Sequence, residues 1–245
     1  MHRFFADENG VVDGAAFLDA SDAQHALRVL RLGPGDGVEL MAEGRRYAAA
    51  VETVGREDVR VRILAELPST EPRVRVTLFQ GLPKAEKMEL IVQKCTELGV
   101  YGVQPVLMER CVAQVKDKDA AKKRERWQKI AREAAKQCGR AQVPQVYAPA
   151  TLAQLRAMLS SMTLLMVPWE DARDGSVRQA LSGLPAGEAS VGIVIGPEGG
   201  MSAKEADGLA QQGGRLVTLG PRILRTETAG LAALTLTLGF LGEME

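Results

Sequence analysis

The sequence predicts an α/β fold with a mostly parallel sheet, preceded by a small β-rich domain. Three observations carry this reading. From Val74 onward, apolar runs of strand length alternate with amphipathic stretches of helix length, the pattern of a parallel sheet wound with crossover helices. Within that region, Val191 to Ala229 repeats one design twice: an apolar strand, a glycine-proline turn and a helix. Ahead of it, short alternating runs are punctuated by turns and end at Glu66-Leu67-Pro68-Ser69-Thr70-Glu71-Pro72, a proline-bounded polar stretch that reads as a domain boundary. The expected domains are therefore 1–70 and 73–245.

In the first domain, a helix ending near Arg31 gives way to the turn Leu32-Gly33-Pro34-Gly35-Asp36-Gly37. Val38–Met41 and Tyr47–Val51 then flank a turn at Glu43-Gly44, and Val59–Leu64 alternates apolar with charged residues at period two. The glycines around Asp36 do not form a dinucleotide-binding fingerprint, because a strand follows them where a helix should open. In the second domain, Val74–Phe79 is an apolar strand running into Gln80-Gly81-Leu82-Pro83-Lys84, followed by a helix over Glu86–Glu97 stopped by Gly99. Val103–Leu107 is the next strand, and a long basic helix begins at about Ala120. Thr151 is placed as the N-cap of a helix reaching Ser160, Thr163–Val167 is a buried strand, and another helix covers Ser176–Leu184. Val191–Ile195 then leads through Gly196-Pro197-Glu198-Gly199-Gly200 to a helix from Ala203, with a Ser-x-x-Glu capping box at Ser202. Leu216–Leu219 leads through Gly220-Pro221 to a closing helix from about Glu227 to Leu241. That helix is apolar nearly all round, so it sits either in the core or against a second subunit.

Hydrophobic content of 46% and charged content of 25% are those of a globular chain. Asp7 and Glu8 stand where a signal peptide would carry its apolar core, and Ala229–Leu241 is too short to span a bilayer, so no leader and no membrane segment are expected. Cys95, Cys111 and Cys138 show no metal-ligand spacing, which fits a reducing cytoplasm and no metal. The net charge is zero but unevenly spread: −5 over residues 1–72, +8 over 73–145 and −3 over 146–245. Lys116 to Arg140 alone holds ten basic and four acidic residues. A one-signed basic segment between acidic flanks is the local field to which a polyanion responds, which makes phosphate contact an alternative to a merely solvated helix.

The two glycine loops, both at strand C-terminal ends, suit a ligand laid across bare backbone. They lack Gly-Lys-Ser/Thr, so they do not form a nucleotide-hydrolysing loop, and no Gly-x-Ser-x-Gly marks a nucleophile. Both histidines, His2 and His25, lie in the small domain. What remains suits positioning of an already activated donor, as in methyl transfer from S-adenosylmethionine, whose sulfonium supplies the electrophile.

Five ordered motifs, GLPK at Gly81–Lys84, KME at Lys87–Glu89, EAAKQCGR at Glu133–Arg140, IGPEGG at Ile195–Gly200 and LGPRILRTETA at Leu219–Ala229, resemble the bacterial 16S ribosomal RNA uracil-N3 methyltransferase family of the SPOUT superfamily. The resemblance runs end to end and includes a PUA-like N-terminal barrel. It implies a C-terminal trefoil knot binding S-adenosylmethionine through Ile195, Gly196, Pro197, Glu198, Gly199 and Gly200 and through Leu219, Gly220, Ile223 and Leu224. It also implies 16S ribosomal RNA in the small subunit as substrate, and a homodimer through the closing helix. The uracil N3 proton must leave before attack, so a cation should stabilise the anion; Arg225 and then Arg222 are the candidates, the alternative for either being a helix-entry arginine paired with Glu227 or Glu198. Glu227 is either a proton acceptor or a first-turn acid favouring the helix dipole. Lys84, Lys129, Arg132, Lys136, Gln137 and Arg140 are candidates for RNA contact. The competing readings are a related methyltransferase acting on another RNA, such as transfer RNA, and a non-catalytic RNA-binding or assembly factor.

Overall fold

The computed structural model describes residues 1–84, 86–113, 117–184 and 189–244. Lys116, where the basic run begins, lies outside them. Contacts divide the chain into two units, Met1–Glu71 with Ala135–Val143, and Pro72–Ala134 with Pro144–Glu245.

The first unit is a five-stranded sheet built from β1 (His2–Phe5), β2 (Ala15–Phe17), β3 (Gly37–Ala42), β4 (Arg45–Val54) and β5 (Val59–Leu67), in the order β1-β3-β4-β5-β2. The Glu43-Gly44 turn joins β3 to β4 with both residues at positive φ (53° and 75°), the geometry that matches the twist of a two-residue hairpin. In β5 the expected alternation is realised: Val59 and Val61 are fully buried while Arg60 and Arg62 are not. The sheet's two edges meet just beyond β1 and β2, where Ala6 bridges Leu18, Asp7 N–H donates to Phe17 O (2.9 Å) and Asp19 N–H donates to Phe5 O (3.0 Å). Joining the edges makes a small barrel and leaves fewer open strand groups. Its core is Phe4, Val38, Leu40, Val51, Val59 and Val61. The expected helix is α1 (Ala20–Gln24), continued by a π-helical stretch over His25–Leu30 and ended by Arg31 at φ 54°.

Residues 135–143 join this unit for identifiable reasons. Ala135 and Ala141 pack with Phe5 and Met41, and the Lys136 ammonium is paired with Asp22, a carboxylate that is 3% exposed and also accepts the Phe5 N–H. Arg140 donates through Nε and Nη2 to Glu71 Oε2 at 3.0 and 2.6 Å and is 5% exposed.

The second unit carries β6 (Arg75–Gly81), α2 (Lys87–Glu97), β7 (Gly102–Leu107), α3 (Asp117–Cys138), β8 (Gln145–Val146), β9 (Ala150–Thr151), α4 (Arg156–Ser160), β10 (Leu164–Pro168), α5 (Val177–Leu181), β11 (Ser190–Ile195), α6 (Ala203–Gln211), β12 (Arg215–Val217) and α7 (Thr226–Phe240). The last turn of α3 counts with the first unit. Strand order is β12-β10-β11-β6-β7-β8 with β9 against β7, and each of these pairs is parallel. β10 is buried throughout and β6 from Val76 onward, as strands covered on both faces must be.

Three expectations are corrected. Thr151 does not cap a long helix: as part of β9 it pairs with Leu107 of β7, its hydroxyl and N–H engage the Gln154 side chain, and α4 starts only at Arg156. The Ser176 helix stops at Leu181 rather than Leu184, though Ser176 forms a full capping box with Gln179. β12 ends at Val217, which leaves Leu219 in the loop. In α7 the inward face is Gly230, Ala233, Leu234, Thr237 and Leu238, while Leu236 and Phe240 stay exposed.

Candidate active site

Parallel strands all end on one edge, and there the loops after β10, β11 and β12 enclose a cavity of about 900 Å³. Ile195 through Gly200 form one wall and Thr218 through Thr226 the other, with Pro168, Trp169, Glu170, Ala172 and Arg173 between them. All ten residues proposed for the donor therefore lie around one space. The loop after β10 was not among the candidates. Its sequence signal was a third strand ending in Pro168-Trp169-Glu170, with no glycine to mark it.

The glycines are required by geometry at two positions. A Cβ on Gly196 would fall 2.9 Å from Met201 N, where the loop folds back on itself. Gly220 holds φ 106°, with no heavy atom near its missing side chain, so bare backbone faces open space. Trp169 is fixed by an Nε1–H bond to Met201 O (3.3 Å), and Arg110 Nη1 donates to Gly199 O (3.2 Å), so the first wall is braced from both sides. A cavity with backbone on two sides and Trp169, Ile195, Leu219 and Leu224 as apolar surface fits a flat nucleoside with a short polar tail.

The two walls are tied together below the cavity. Thr226, 6% exposed, donates its hydroxyl to Gly196 O (2.6 Å) and accepts from Gln80 Nε2 (2.8 Å) at the end of β6. The GLPK turn is drawn into the same assembly, because a Cβ on Gly81 would lie 2.5 Å from Pro197 N. Glu198 accepts the Lys84 N–H at 3.0 Å.

Arg225 and Arg222 line the cavity and are exposed, and neither forms an ion pair among the described residues. Two nearby acids are engaged elsewhere: Glu198 and Glu227 both pair with Lys87, at 3.4 and 3.1 Å. Glu227 does not line the cavity. Its own backbone N–H, and then the Lys87 ammonium against the opposing cost of desolvation, hold its carboxyl below the usual range. Burial pushes all three thiols up, Cys95 to about 12, so none is primed as a nucleophile.

The six RNA candidates divide. Lys84, Lys129 and Gln137 are exposed, and Arg132 is half-buried, with burial lowering its basicity. Lys136 and Arg140 are corrected: their charges are spent on Asp22 and Glu71 inside the first unit, because a buried carboxylate demands a partner. Among the described residues no group of three or more His, Cys, Asp or Glu could hold a metal, and no helix is long and apolar enough to cross a membrane.

Residues 70–238 match the family model of an RNA methyltransferase domain, and residues 18–64 match that of an RNA methyltransferase PUA domain. Ribosomal RNA small subunit methyltransferase E of Bacillus subtilis (strain 168) is 35% identical, covering 96% of this chain and 95% of the relative. The protein of the same name from Mycobacterium tuberculosis (strain CDC 1551 / Oshkosh) is 33% identical over 94% of this chain and 88% of its own. The crystal structure of the Neisseria gonorrhoeae ribosomal RNA small subunit methyltransferase E, bound to S-adenosyl methionine, superposes with a TM-score of 0.81 at 32% identity, covering 98% of this chain and 97% of that one. On the strength of both domain matches and these full-length likenesses, the chain belongs to the RNA methyltransferase family, among relatives named ribosomal RNA small subunit methyltransferase E.

Proposed function

We propose that this chain methylates N3 of a uridine in 16S ribosomal RNA of the small subunit, with S-adenosylmethionine as donor. The observation that carries the reading is the cavity itself: two glycine-turn walls enclose a nucleoside-sized space, and two exposed arginines line its edge. Ile195–Gly200 with Leu219, Gly220, Ile223 and Leu224 would hold the donor, which when bound supplies an electrophilic methyl group on its sulfonium. The protein's part is alignment and charge. Arg225, at the N-cap of α7, would stabilise negative charge on a uracil oxygen as the N3 proton departs, with Arg222 in support. Glu227, at the start of α7, shares the Lys87 ammonium with Glu198 and is assigned to holding the loop rather than to taking the proton.

Lys84, Lys129, Arg132 and Gln137 remain the residues assigned to RNA. The exposed Leu236 and Phe240 on α7 support a homodimer through that helix, and the trefoil knot is carried as part of the same reading. A cytoplasmic location goes with the same reading.

The test is incubation of unmethylated small subunits with labelled donor, followed by mapping of the modified base. Label on N3 of a uridine is expected; label on a ribose, on another base or only on transfer RNA overturns the assignment. Arg225→Ala should abolish turnover while donor affinity by calorimetry stays within about tenfold. A chain with no donor affinity would be a binding factor instead.

A further inference from the structure

Lys87 lies outside the cavity, in the first turn of α2, yet it grips one residue from each side of it. Its Nζ is 3.4 Å from Glu198 Oε1, in the middle of the first wall, and 3.1 Å from Glu227 Oε2, immediately after the last residue of the second wall's Thr218–Thr226 segment. Glu198 Oε1 also accepts the Lys84 N–H, so the turn that opens α2 is part of the same contact. The two carboxylates are close enough to feel each other, and that repulsion acts to raise the Glu227 pKa. Lys87 is the cation that offsets it.

The buried clasp at the same level, Gln80 to Thr226 to Gly196, is made of neutral hydrogen bonds and carries no charge that would neutralise this pair. The walls are thus joined twice, once by a hydroxyl and once by an ammonium. Only the second depends on charge balance. The KME motif at Lys87–Glu89 has no place in the chemistry at the cavity, and this contact gives its lysine one.

We infer that Lys87 is a positioning residue that sets the spacing of the two donor-pocket walls by bridging Glu198 and Glu227, one ammonium offsetting the repulsion between two carboxylates. This rests on the donor reading above. Without the lysine, two carboxylates face each other across the seam and push the loops apart, so donor affinity falls although no donor-contacting side chain has changed.

Calorimetry with S-adenosylmethionine on the full chain tests it. Lys87→Met should weaken donor binding roughly five- to twentyfold, the range expected for coupled charged neighbours. Lys87→Arg, which keeps the charge, should stay within about threefold of the parent. The decisive variant is Lys87→Met combined with Glu227→Gln, which removes the repulsion and should recover most of the lost affinity. A contact that merely fills space would not be rescued by deleting the opposite charge. Equal affinity of Lys87→Met and the parent overturns the inference, and so does a double variant as weak as the single one. Failure of the parent itself to bind the donor would overturn the donor reading instead, and the two failures are told apart in the same titration series.

Discussion

A single atom decides how far the glycine loop can be altered. Gly81 contributes nothing to the cavity lining, yet the space its side chain would need is held by the backbone of Gly196 and Pro197, which cannot rotate aside. Gly81→Ala should therefore displace the Gly196–Gly200 wall and cost about 1–3 kcal/mol, the usual toll of overpacking. A lowered melting temperature together with weakened donor binding is the expected result; unchanged values for both would show that the two turns are not coupled. At this scale the sequence was legible in part. Gly196, Gly199 and Gly220 were visible as turn residues because glycine runs at strand ends have few other uses. Lys87 was visible as a motif member but not as a clamp, since its partners lie 111 and 140 positions away in sequence. The pairing of Lys136 with Asp22 was hidden for the same reason: a lysine on a basic helix looks solvated until the carboxylate it meets is known.

Among the elements, α3 is the one whose role changes along its length. Lys129 is exposed, whereas Lys136, two turns further on, neutralises a buried acid. The two lysines should therefore respond differently to removal. Lys129→Ala should weaken binding to ribosomal RNA uniformly and reduce the salt dependence by about one charge, with no change in melting temperature. Lys136→Ala should instead destabilise the protein by about 3–5 kcal/mol, because Asp22 is left buried without its cation. Filter binding at several salt concentrations and thermal unfolding separate them; a purely electrostatic loss of RNA affinity from Lys136→Ala would restore it to the RNA surface. Strands followed their periodicities well, with β5 and β11 within three residues of expectation. β1, β2, β8 and β9 were missed because strands of two to four residues are too short to show a period. Ser202 was legible as a cap because its signal is local, and the structure shows the full reciprocal box with Glu205.

For the whole molecule, acid is the expected weakness. Glu39 in the barrel has a lowered pKa because Arg46 and Arg3 outweigh its desolvation. Glu198 is lowered likewise, desolvation being outweighed by the Lys84 N–H, its own N–H and Lys87; Glu227 is lowered first by its own N–H. A carboxylate depressed below its unfolded value of 4.5 contributes stability that is present above that pH and lost as pH falls through the folded value. The denaturant midpoint should be level from neutral pH down to about 5.5 and decline below about 4.5. A midpoint that rose on acidification would show that burial, not pairing, dominates these groups.

The place of β11 in the sheet sets a schedule for synthesis. It pairs with β6 on one side and β10 on the other, and both of those are made before it. β6 therefore leaves the ribosome with one edge unpaired and waits more than 100 residues for the strand that closes it. At 5–20 residues per second that wait is on the order of ten seconds, long compared with strand pairing itself. A protein whose relatives modify ribosomal RNA is thus most exposed to aggregation while it is itself a nascent chain, and slowing translation between β10 and β11 would lengthen that exposure.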